Sequence, residues 1–106
     1  MKQFTIIDAA DQQFGTILNN RRVTIRLRYN PSIDRWSIDL SIDDLPVLHG
    51  QRIVTGVDLL GGYDEFDIGS IFAVATAAGD VPDRDALPSG RVRLYHATTE
   101  EIEAVV

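Results

Sequence analysis

Two histidines, His49 and His96, are the first side chains to weigh for chemistry. A structural or catalytic zinc needs three or more protein ligands held close together. The chain has no cysteine and no H-x-x-x-H spacing, so carboxylates would have to complete any such set. The spacing predicts a strand or rim position for each histidine and no metal site. Asp80, Asp83 and Asp85 in "GDVPDRDALPSG" suggest calcium at first sight. An EF-hand loop needs acids at alternate positions, a mid-loop glycine and a closing glutamate. Asp80 and Asp83 are three apart and no such Glu follows, so the reading is a polar surface loop.

Carboxylate pairs occur at "DD" (Asp43, Asp44) and "DEFD" (Asp64, Glu65, Asp67). Glycosidases need two carboxyl groups facing each other across a cleft. Turns favour Asp in any case, and an acidic chain offers many such pairs. Ser89 lies in "PSGRVR" without a G-x-S-x-G elbow. "GVDLLGG" lacks the G-K-[ST] ending of a phosphate-binding loop. No enzyme constellation is left.

The stretch "RVTIRLRYNPSIDRWSIDLSI" gathers Arg22, Arg26, Arg28 and Arg35 around Tyr29 and Trp36. Three readings compete: a basic aromatic face for nucleic acid, a pocket walled by Trp36, or two strands with arginines facing water. Period two decides for the third. Val23, Ile25, Leu27 and Tyr29 share one face, and Arg22, Thr24, Arg26 and Arg28 share the other. Across the "NPSID" loop, Trp36, Ile38, Leu40 and Ile42 point inward. Pairing Tyr29 with Trp36 sets Leu27 opposite Ile38, Ile25 opposite Leu40, Arg26 opposite Asp39 and Arg22 opposite Asp43. Cross-strand ion pairs would then neutralise the arginines within their own hairpin. A slip of one residue would mix core and surface, so this register is favoured; a slip of two is the alternative. Both aromatics fall on the apolar face, whereas nucleic-acid readers on small β folds expose theirs among basic side chains.

The same alternation runs through most of the chain. Phe4 and Ile6 alternate with polar residues in "KQFTIID", and Phe14, Thr16 and Leu18 share a face in "QFGTIL". Asn19–Asn20 and "DDLP" signal turns. "VLHGQRIVTGVDLL" reads as a strand interrupted at Gly50 and Gly56. "GGYDE" is a turn, "FDIGSIFAVAT" a strand, and "AAGDVPDRDALPSG" a long loop. "RVRLYHAT" is the last strand, with Val92, Leu94 and His96 on one face. Thr98 and Glu101 fit a capping box opening a short helix. The expectation is an all-β fold: a small antiparallel β-barrel or sandwich of about six to seven strands, with a short C-terminal helix. Residues 1–97 would form one β domain and 98–106 a tail or short helix.

Bulk properties narrow the function classes. The 106 residues suffice for one core, and 44% of them are hydrophobic, which argues against disorder. The net charge is −6, which argues against nonspecific nucleic-acid binding and against anionic lipid. Charge is uneven: residues 1–53 carry seven basic and six acidic side chains, and residues 54–106 carry three and ten. Such polarity suits docking between differently charged neighbours. No secretory leader is visible, and no apolar run approaches the roughly 18 residues of a membrane helix. The expectation is a soluble protein synthesised in the cytoplasm.

From about Phe4 to Tyr95 the chain resembles the phage baseplate plug family, small proteins of contractile-tail phages first described in a cyanophage. "FTIIDAADQQFGTIL" looks like the family's first hairpin, and "RVTIRLRYNPSIDRWSIDLSI" its central one, with an aromatic ending one strand and Trp beginning the next. "LPVLHGQRIVTGVDLL" is similar to the segment in which an apolar strand runs into Gly and a "G-x-D-L-L" turn. "GSIFAVAT" and "RVRLYH" resemble its last two strands. "ATTEEIEAVV" continues past the point where such chains usually finish. The signature residues are Phe14, Tyr29, Trp36, Leu40, Gly50 and Leu94. The resemblance implies a structural virion protein near the tail axis, among hub, spike and tube proteins, helping to close or organise the tail tip. It implies no catalysis, no cofactor and no small-molecule substrate. Asp80, Asp83, Asp85, Arg91 and Arg93 are the candidate partner contacts. The competing reading is a stand-alone β-barrel module that binds a ligand or an oligonucleotide.

Overall fold

The computed structural model describes residues 2–60, 68–98 and 100–101. Two antiparallel sheets face each other across one apolar core. The larger is a meander of β2 (Asp11–Leu18), β3 (Arg21–Asn30), β4 (Arg35–Ile42) and β5 (Leu45–Arg52), in that order. The smaller is built from the two ends of the chain. There β7 (Val92–Ala97) lies between β1 (Lys2–Gln3) and β6 (Ser70–Ala75). The fold is therefore a sandwich; neither sheet closes into the barrel that was the alternative.

The central hairpin pairs in the expected register. Tyr29 faces Trp36, Leu27 faces Ile38, Ile25 faces Leu40, and Arg26 faces Asp39. Burial alternates along β4, and Val23, Ile25, Leu27, Trp36 and Ile38 are fully buried. Both tight turns of the meander use the residue types that tolerate positive φ. Asn19 and Asn20 have φ of 51° and 63°, and Asp43 and Asp44 have 49° and 66°. Two successive positive φ values match the right-handed strand twist, as in a type I′ hairpin. The "DD" pair is thus a turn.

The interrupted strand is also explained. Ile38 pairs with Gln51 and Leu40 with Leu48, so β5 holds one extra residue at His49–Gly50. Gly50 has φ 66°, the conformation a bulge of this kind requires. Asp39 Oδ1 fixes the bulge by accepting the Gly50 N–H at 2.6 Å. The "GVDLL" segment then crosses to the other sheet. Asp58 accepts the Leu60 N–H and the Ser70 hydroxyl, while Leu59 and Leu60 enter the core. Gly56 N–H bonds to Ala73 O and Leu59 N–H to Ile71 O, which covers the outer edge of β6.

Three expectations need correction. The first strand is shorter than its alternation suggests. After Lys2–Gln3 and one further bond from Phe4 N–H to Leu94 O, the chain leaves β7. The buried Gln12 side chain takes over: it accepts the Ile7 N–H and donates to the Ile7 and Ala9 carbonyls, doing what a neighbouring strand would do. Second, the long loop contains a helical turn, α1 (Ala86–Ser89), which buries Ala86 and Leu87. Third, the arginines of β3 do not pair straight across. Arg26 grips Asp11 at 3.0 and 2.7 Å, Arg28 reaches Asp39 at 2.9 Å, and Arg22 reaches Asp44 at 3.2 Å. Sheet twist brings one diagonal neighbour within reach of long side chains. The capping box is present: Thr98 Oγ1 accepts the Glu101 N–H, and a Glu101 carboxylate oxygen accepts the Thr98 N–H. The "GGYDE" turn, the Asp64/Glu65/Asp67 cluster and residues 102–106 lie outside the described residues.

Candidate functional site

A network of polar side chains gathers at one end of the sandwich. Three loops meet there: residues 7–10, the 31–34 turn and the 77–90 loop. Trp36 organises them from below. It is fully buried, and its indole Nε1–H donates to Asp83 O at 2.9 Å, tying the long loop to β4. Tyr29 lies against Trp36 with ring centroids 5.6 Å apart. Its hydroxyl donates to Asp34 Oδ1 at 2.5 Å. That bond to a carboxylate holds the phenol above its ordinary pKa.

Arg84 caps both rings. Its guanidinium carbon is 5.6 Å from the Trp36 centroid and 6.0 Å from that of Tyr29, within cation–π range. Arg84 Nη1 also sits 2.9 Å from Asp8 Oδ1, and the Arg84 N–H reaches Asp34 Oδ1 at 3.4 Å. One arginine therefore joins all three loops.

The acidic residues of the long loop have work within the chain. Asp83 Oδ1 accepts the N–H groups of Asp85 and Ala86 at the start of α1, and also Arg91 Nη2 at 3.1 Å. Asp80 Oδ1 lies 3.4 Å from Arg91 Nη1. Asp80 and Asp83 are half-buried, and Asp85 is exposed. Asp85 is the N-cap of α1 but makes no side-chain capping bond. Arg93 is exposed, with its Nε–H 3.3 Å from Gly90 O. Gly90 ends α1 at φ 86°, and its N–H bonds back to Ala86 O and Leu87 O. Calcium would have to displace Arg91 and two amides from Asp83. Among the described residues no group of three or more acids or histidines converges as metal ligands.

The remaining signature residues are spread through the molecule. Leu40 and Leu94 are buried. Phe14 is half-buried, its ring 5.7 Å from that of Phe4. Gly50 is exposed and contributes its backbone to the bulge. His49 is exposed on β5, with Nδ1 3.4 Å from Asp39 Oδ1. His96 is buried on β7 in the other sheet, its Nε2 2.5 Å from Ile68 O. Burial holds its imidazole below the ordinary histidine pKa, against the opposing pull of that carbonyl.

Sequence reasoning missed Arg84, Asp8, Asp34 and Gln12. No local pattern marks the first three, because their partners come from distant loops. Gln12 did carry a signal: it occupies an inward position of β2, where a polar side chain needs partners. Also missed was the stack of Phe72 on Tyr95, centroids 5.9 Å apart, on the outer face of β6 and β7. No described helix is long and apolar enough to cross a membrane.

A family model described as cyanophage baseplate Pam3 plug gp18 matches residues 1–100. No curated protein matches the chain.

Proposed function

The chain belongs to the cyanophage baseplate plug family, and from that premise we propose that it packs near the tail axis of a contractile-tail phage, or phage-like particle, against hub, tube and spike proteins, and helps to close the tail tip. The family gives it a structural role in the virion tail baseplate. The observation that carries the reading is the extent of the match, which takes in both sheets and the loop end. The geometry supports it in kind. The polar residues of the loop end fix one another in place, as a scaffold presenting a surface requires, with Arg84 and Arg91 each engaged by carboxylates. The long loop, through Asp80, Asp83, Asp85, Arg91 and Arg93, presents the contact surface to these partners. Synthesis takes place in the host cytoplasm before assembly.

A nonsense mutation in the gene of the source phage tests the role. Tails made without the chain are expected to have open or misassembled tips on electron micrographs, and a plasmid copy should restore them. Closed, infective tails lacking the chain would overturn the proposal.

A further inference from the structure

We infer that the loop end of the sandwich, where Ile7, Ile33 and Val81 stand on the three segments that Arg84 joins, is a docking surface for a lysine- and arginine-bearing face of another baseplate protein. This rests on the baseplate reading and adds to it residues 7–10 and the 31–34 turn as part of the contact, and the chemistry of the partner.

Three aliphatic side chains stand in water at this end, with 59% of Ile7, 49% of Ile33 and 41% of Val81 exposed. The hub brings their segments together. The Arg84 guanidinium pairs with Asp8, the neighbour of Ile7, and the Arg84 backbone N–H reaches Asp34, the neighbour of Ile33. Asp83, whose N–H bonds to Val81 O, holds the third segment and is itself fixed by Trp36. Exposed apolar side chains interspersed with charged ones offer both kinds of contact that a protein interface uses, apolar burial and polar pairing.

Charge selects the partner. Asp8, Asp34, Asp80, Asp83 and Asp85 outnumber Arg35, Arg84, Arg91 and Arg93 at this end, on a chain of net charge −6. The two half-buried acids, Asp80 and Asp83, share the single positive charge of Arg91, while the Asp8 side chain is 80% exposed and the Asp85 side chain makes no capping bond. A basic partner face would complete the rim and be steered toward it. Pre-organisation favours tight contact. Arg84 is already stacked on two rings, so little side-chain freedom remains to be lost on binding.

Carbodiimide chemistry reads this surface directly, because it joins carboxylates to lysines in contact. The probe is the purified, intact tail particle, with the isolated chain as reference. Cross-linked peptides are expected between Asp8, Asp34 or Asp85 and lysines of a different virion protein. The same carboxylates should take up glycine ethyl ester more slowly in the particle than in the isolated chain. If the chain is present in particles but these carboxylates are labelled as fast as in isolation, or cross-link only to Lys2 of a second copy, the docking surface is wrong and the baseplate role stands. If the chain is absent from particles, both fail. The double variant I33D with D85K, two exposed positions, gives an independent reading. It should melt with the parent yet enter particles about tenfold less, which corresponds to about 1.4 kcal/mol. Normal incorporation would overturn the surface.

Discussion

His96 shows how far one side chain's environment can be followed to a measurement. It lies in the core beside Gly69, where a Cβ would come 2.1 Å from Ala97 O and 3.1 Å from the His96 ring. A carbonyl only accepts, so Nε2 carries the proton that it donates to Ile68 O. Burial disfavours a second proton on the ring, and the folded pKa is therefore depressed. The unfolded chain binds that proton more readily. The resulting stability is fully present above the unfolded value of about 6.5 and is lost as pH falls from there through the folded pKa. Urea midpoints should drop over that window, and H96Q should show a shallower slope; equal slopes would contradict this account. Trp36 makes a second test, as the single tryptophan of the chain. W36F keeps the ring in the core but leaves Asp83 O without its donor, and it should lose about 2–4 kcal/mol by urea denaturation. The alternation around Trp36 made its burial legible in the sequence. Its bond to a backbone carbonyl 47 residues away was not legible, because no local pattern encodes it.

Among the elements, the meander was the most legible part. Its register follows from matching two alternating faces across a short loop, and its turns follow from residues that accept positive φ. Asn20, at φ 63°, gives a direct check. N20G should retain stability, whereas N20V should lose about 1–2 kcal/mol, since a β-branched side chain resists that conformation. The ion pairs of the same sheet were not legible, because twist rather than register chooses which diagonal a long arginine reaches. Asp39 illustrates the consequence. Its carboxylate serves Arg28 and the Gly50 N–H at once, and it is only 17% exposed. D39A should destabilise by about 1–3 kcal/mol, chiefly by leaving those donors without an acceptor. If Arg26 were its partner, as straight-across pairing implies, R26A would be as damaging as R28A; the geometry predicts that R28A is worse. The short helix was hidden for another reason. Four residues are too few to show a helical period, and Pro88 within them reads as a loop.

At the scale of the whole molecule, strand count and the all-β class were legible, whereas the choice between sandwich and barrel was not. That choice depends on whether the edge strands of one sheet, β2 and β5, pair with those of the other, β1 and β6, which periodicity alone cannot give. The loop end was partly legible. Its acidic loop stood out by composition, but the hub that joins it to the other loops rests on Arg84, an unremarkable residue by spacing. A small sandwich with a pre-organised end is suited to a subunit whose work is to be packed among others. The central claim, membership of the tail baseplate, is tested most directly by mass spectrometry of tail particles purified on a density gradient from the source. This chain is expected at fixed stoichiometry with the tube and spike proteins across every particle fraction. Its presence only in the soluble fraction, and in no particle, would rule out a place in the baseplate.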